Sequence, residues 1–137
     1  DMMPDLDTRM LDVAQKYGRY RAQAYRFTFD AVKFTADRNY LATRELRHVT
    51  GPEVLEGIRD LALGRFGFMA KTVFEEWGVK VTEDFGHIVF HLVKEGILSK
   101  TDSDRVSDFA RGFDFTDAFV RNFDWLEQFA HKRAPRS

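Results

Sequence analysis

The chain has 137 residues, a net charge of −1, 44% apolar and 31% charged side chains, and no cysteine. That size suits one domain around one core, and the balance excludes a disordered chain, a disulfide framework and a thiolate zinc site. No apolar run approaches the ~20 residues of a membrane span, and the start "DMMPDLDTRM" lacks the basic and apolar regions of a signal peptide, so a cytoplasmic protein with no membrane contact is expected.

The first segment, "PDLDTRMLDVAQKYG", sets Leu6, Met10, Val13, Ala14 and Tyr17 at helical spacing, with Gly18 as the stop. In "AYRFTFDAVKFTADR", Tyr25, Phe27 and Phe29 alternate like a strand. Over a longer window, however, Arg26, Asp30, Lys33 and Asp37 form a charged stripe of alternating sign beside Ala24, Phe27, Ala31 and Phe34. A central helix with a narrow wet side is the better reading. These two helices, over about residues 5–37, are expected to brace the rest of the domain, with "NYLATRELRHV" as a connection.

"TGPEVLEGIRDLALGRFG" then carries a capping box, Thr50 with Glu53, and Pro52 in the first turn. Val54, Leu55, Ile58, Leu61, Ala62 and Phe66 form its apolar face. "FMAKTVFEEWG" repeats the pattern with Met69, Val73, Phe74 and Trp77, the last two expected to be buried, and Gly78 as the stop. Thr82 is read as the cap of a third helix with a stripe of Phe85, Ile88, Val89, Leu92 and Val93, ended by Gly96. Beyond it, "GILSKT", "DSDR" and "VSDFARGFDF" read as a two-stranded hairpin, because Phe109, Phe113 and Phe115 fall on odd positions with Gly112 as a bulge. A helix from Thr116 to about residue 132 closes the chain, with Phe119, Val120, Phe123, Leu126 and Phe129 on one face and Trp125 off it.

The expected fold is therefore a single α-rich α+β domain over residues 1–137. A winged-helix-like, helix-turn-helix-like trihelical core plus β-hairpin spans about residues 50–115, with additional N- and C-terminal helices. The stretches "YRFTFDAVKFT", "HVTGPEVLEGIRDLALGRFG" and "TEDFGHIVFHLVKEGILSKT" resemble an uncharacterised bacterial protein family, a domain of unknown function, over roughly Tyr25 to Phe115. That resemblance implies no activity. Gly64 stands where the family is expected to carry a better helix former, which bears on helix stability rather than on a site.

Charge is unevenly distributed. From Lys16 to Arg47 eight basic residues face three acidic ones, whereas from Ile97 to Ala130 four basic face seven acidic. Within the basic stretch, "KYGRYRAQAYRF" interleaves Tyr17, Tyr20 and Tyr25 with Lys16, Arg19, Arg21 and Arg26, residue types that can stack on unpaired bases and neutralise phosphates. Lys16, Arg19, Tyr20, Arg21, Tyr25 and Arg26 are accordingly the candidate RNA-contacting residues; tyrosines packed at a helix junction are the alternative. For the third helix the side chains expected at the surface are Glu83, Asp84, His87, His91, Lys94 and Glu95. Carboxylates at its N-terminus suit the helix dipole and would repel DNA. His87 and His91 are four apart and could share a divalent metal, although a solvated face is the simpler explanation.

No phosphate loop, nucleophile elbow or HExxH motif is present, and no cofactor is implied. The expectation is a non-enzymatic binding or adaptor module for a protein partner, an RNA or a ribonucleoprotein. The alternatives are a winged-helix DNA-binding transcriptional regulator and, third, a metal-dependent enzyme using the His87/His91 row.

Overall fold

A computed structural model of the protein describes residues 4–99 and 105–121, and among these the regular structure is entirely helical. Helix α1 (Leu6–Tyr17) is capped by Asp5, whose carboxylate accepts from the Thr8 N–H at 2.8 Å. It stops where Gly18 adopts φ 66°, a left-handed conformation that costs glycine nothing. Helix α2 (Ala22–Thr43) is one continuous element, as the charged stripe predicts, and its Arg26–Asp30 ion pair closes at 3.1 Å. It runs on through residues 39–43, where the sequence pattern suggests a connection. α2 packs against α1 and two later helices, so both an alanine face and an aromatic face are buried. Its buried Thr28 and Thr35 hydroxyls donate to the Ala24 and Ala31 carbonyls, each at 2.8 Å, which satisfies them inside an otherwise apolar contact.

Helix α3 (Gly51–Phe66) begins with the predicted capping box. Thr50 Oγ1 accepts from the Glu53 N–H at 3.3 Å, and the Glu53 carboxylate accepts from the Thr50 N–H at 2.9 Å. The Arg47 guanidinium adds two bonds to Glu53, at 3.1 and 2.8 Å, and with the Thr50 N–H holds that carboxyl down to about 2. A turn at Gly67–Met69 leads into α4 (Ala70–Glu76), and α5 (Thr82–Lys94) follows. Gly78, at φ 90°, stops α4 where a Cβ would lie 2.9 Å from the Arg19 carbonyl oxygen.

One aromatic cluster fills the core. The Phe74 ring lies 5.1 Å from Phe85, 5.3 Å from Phe115, 5.4 Å from Phe27 and 5.6 Å from Phe119 between centroids. Phenylalanines from four separate stretches of chain thus share one site, and this explains much of the Phe content. Trp77 is only partly buried, and Met69 is exposed rather than on an inner face.

The α+β, winged-helix-like assignment does not hold, because no strand occurs among the described residues. Where the hairpin was expected, Val106–Phe109 is a 3-10 turn, residues 110–114 bend back, and Asp117–Arg121 forms a π-helical turn. The physical reason is that Phe109, Phe115 and Phe119 all enter the same core, with Phe113 packed against it, so the odd spacing records successive insertions and not two faces of a ribbon. Gly112 is no bulge. A Cβ there would meet the Thr82 side chain at 2.6 Å and Leu55 at 2.8 Å, so the residue permits a close approach.

Thr82 is not the cap of α5 either. Its hydroxyl donates to the Phe109 carbonyl at 2.7 Å and accepts from the Gly112 N–H at 3.2 Å, tying the returning chain to the helix. Asp84 serves the helix start instead, accepting from the Lys80 and Val81 N–H groups at 2.8 and 3.1 Å. The closing helix expected beyond Arg121, with Phe123, Trp125, Leu126 and Phe129, lies outside the described residues, as do residues 100–104. No described helix is long and apolar enough to cross a membrane; α2 has the length but carries Arg26, Asp30, Lys33, Asp37 and Arg38.

Candidate functional site

The basic–aromatic stretch meets α5 at the junction of α1 and α2. Lys16, in the last turn of α1, donates to Glu95 Oε2 at 2.9 Å, and the Tyr17 hydroxyl donates to the same oxygen at 2.8 Å. Arg19 reaches Asp84 Oδ1 at 3.2 Å, and the Tyr20 hydroxyl donates to that atom at 2.6 Å. Burial pushes the Asp84 carboxyl up, but Tyr20, the Lys80 and Val81 N–H groups and Arg19 outweigh it, and the group titrates below its usual range. Burial, reinforced by Asp84, drives the Tyr20 phenol up, and burial alone dominates the rise for Tyr25.

His91 sits within this cluster. Its ring stacks on Tyr17 with centroids 3.7 Å apart and planes 8° from parallel, and its Nδ1 lies 2.7 Å from the Tyr25 hydroxyl. Burial, then the neighbouring His87 and Arg19, push the imidazole down to about 4. A neutral ring beside a protonated phenol is satisfied when Tyr25 donates to Nδ1 and the imidazole proton resides on Nε2.

The candidate RNA-contacting residues are thereby divided. Lys16, Arg19, Tyr20 and Tyr25 converge on α5, where Tyr20 is 4% exposed and Tyr25 0%, so neither ring presents a face to a base. Arg26 turns to Asp7 and Asp30, at 2.6 and 3.1 Å. Arg21 alone of the six is exposed with no ion pair among the described residues. Elsewhere in the basic run Arg38 meets Asp60 and Arg47 meets Glu53, so its local excess of charge is largely compensated by carboxylates from other elements.

The row from Glu83 to Glu95 is likewise broken up. Asp84 is buried, His91 is turned against the tyrosines, and Glu95 is engaged by Lys16 and Tyr17, which contradicts a fully solvent-facing row. Among the described residues no group of three or more His, Cys, Asp or Glu side chains could hold a metal ion.

A feature that the sequence reading missed lies on the other side of α5. Between α5 and the 105–109 segment is an apolar hollow of about 190 Å³, lined by Gly86, Val89, Phe90, Val93, Val106 and Phe109, with Lys94 and Arg105 at its edge. Gly86 lets the 106–109 segment pack closely on α5 beside it, since a Cβ there would meet the Val106 carbonyl oxygen at 3.0 Å and Phe109 Cβ at 3.1 Å. Phe90 is 49% exposed, and the Lys94 ammonium lies 5.6 Å from the centre of its ring. A second hollow of about 230 Å³, bounded by α2, the 47–49 segment and Leu98, shares Val89 and Phe109 with the first, and the two adjoining hollows on either side of that pair are together termed the trough. The available signal was Phe90 itself, a large aromatic residue off the apolar stripe of an amphipathic helix.

The chain matches no family model, no curated protein and no solved structure.

Proposed function

We propose that the chain is a non-enzymatic binding module that engages a protein partner through the apolar trough beside α5. The observation that carries this reading is the trough, which among the described residues has a mostly apolar lining and a half-exposed phenylalanine beside it. A protein partner is favoured over RNA because the tyrosines of residues 16–27 are used within the fold and most of the neighbouring basic side chains are ion-paired. The reading needs no catalytic group. A cysteine-free chain suits a reducing compartment, and the cytoplasm is the setting proposed for that partner.

Photo-cross-linking in native cells tests the reading. With p-benzoylphenylalanine placed at Phe90, a discrete protein adduct resistant to ribonuclease is expected. The same probe at Leu11, 61% exposed on α1, serves as the control and should not give that adduct. Adducts to RNA alone, or equal adducts at both positions, would count against a protein partner at the trough.

A further inference from the structure

Accepting the trough as the binding surface proposed above, we infer that its partner is a short acidic segment whose aliphatic or aromatic side chains enter the hollows and whose carboxylates meet a basic rim. Size is the first argument. Each hollow, about 190 and about 230 Å³, falls below the ~300–1,000 Å³ typical of small-molecule sites and suits a side chain or two. Because the hollows share Val89 and Phe109, two side chains of one segment can straddle that pair.

Charge is the second argument, and it selects the partner. Among the described residues no carboxylate lines either hollow, whereas Lys94 and Arg105 line the first and Arg47 and His48 the second. Arg47 is already held by Glu53, but Lys94 and Arg105 form no ion pair among the described residues. Lys94 is kept at the mouth by its position over the Phe90 ring. Among the described residues, the apolar hollow thus carries two basic side chains without an ion-pair partner. Rim charges of this kind choose between partners and speed encounter more than they deepen affinity, so the predicted signature is selectivity that salt erodes.

The full chain is titrated, by fluorescence anisotropy, into three labelled peptides that share a central Leu-Phe pair flanked by Glu, by Ser or by Lys. The Glu peptide is expected to bind about tenfold or more tightly than the Lys peptide in about 50 mM salt, with the gap closing by about 300 mM. Lys94→Glu combined with Arg105→Glu should reverse that order. Phe90→Ser should weaken the Glu peptide about tenfold, since it removes apolar surface at the mouth. All three side chains are at the surface, so an unchanged Tm is expected and certifies the fold of each variant.

Equal binding of the three peptides, or a preference for Glu that persists in the charge-reversed variant, overturns the inference. So does binding of a single-stranded RNA that Phe90→Ser abolishes, or a dimer in sedimentation that the same change dissociates. If none of the peptides binds while the probe at Phe90 still gives its protein adduct, the acidic partner is wrong and the binding module stands. Loss of both results removes both.

Discussion

Replacing His91 by Gln should abolish most of the loss of stability that the protein shows between about pH 7.5 and pH 5. In the native fold the ring is stacked on Tyr17, bonded to Tyr25 and held down to about 4, whereas in the unfolded chain it titrates near 6.5. The unfolded chain therefore takes up a proton as pH falls below about 6.5, while the folded protein does so only near 4. Stability is full above that window and is lost as pH falls through it. Linkage over these two values gives almost no effect at about pH 7.5 and a loss of about 2 kcal/mol at about pH 5. The comparison stops there because Asp84, Glu53 and Glu95 are all held below their usual range, and their contributions are lost mainly at lower pH. Gln can still accept the Tyr25 hydroxyl but does not titrate, so the other histidines cancel between the two proteins. Urea unfolding of both proteins at both pH values reads the difference directly. An equal pH-dependent loss in parent and His91→Gln would show that His91 is not held neutral by its partly buried site.

Thr50→Ala removes the hydroxyl that caps α3 and should lower stability by about 1 kcal/mol, measured as a lower urea midpoint at unchanged slope. Gly64 and Gly57 lie on the same helix and should respond oppositely to alanine. At Gly64 a Cβ meets nothing, so Gly64→Ala should raise stability by about 0.5–1 kcal/mol, whereas Gly57→Ala drives a Cβ into the buried Thr35 hydroxyl and should cost about 1–3 kcal/mol. Thermal melts of the pair check both signs. Thr82→Val leaves the Phe109 carbonyl and the Gly112 N–H without their shared partner and should cost about 1–3 kcal/mol, with faster amide exchange at Gly112.

Local signals in the sequence located much of the helical framework. Thr50 and Glu53 form their box, and Gly18, Gly78 and Gly96 all take positive φ at helix ends, because capping and left-handed stops depend on residues close in sequence. The charged stripe also identified α2 against the competing alternation of Tyr25, Phe27 and Phe29. The same alternation argument failed at Phe109, Phe113 and Phe115. There the rings are placed by the distant Phe74 and Phe85, and a run this short cannot separate two faces of a strand from successive insertions into one core.

Site residues were harder to assign for a similar reason. The inward turn of Tyr20 depends on Asp84, 64 residues later, and that of Tyr25 on His91, 66 residues later. The trough required knowing that residues 105–109 come to lie against Gly86, which no spacing within the helix reveals.

The most direct test of the binding account is an amide NMR titration of the full, labelled chain with the Glu-flanked peptide. The account predicts shifts that map to Gly86, Val89, Phe90, Lys94 and Val106 around the trough, with residues 16–26 at the α1–α2 junction unmoved. Shifts confined to Lys16, Arg19, Arg21 and Arg26 on adding a single-stranded RNA, with none at the trough on adding the peptide, would contradict it.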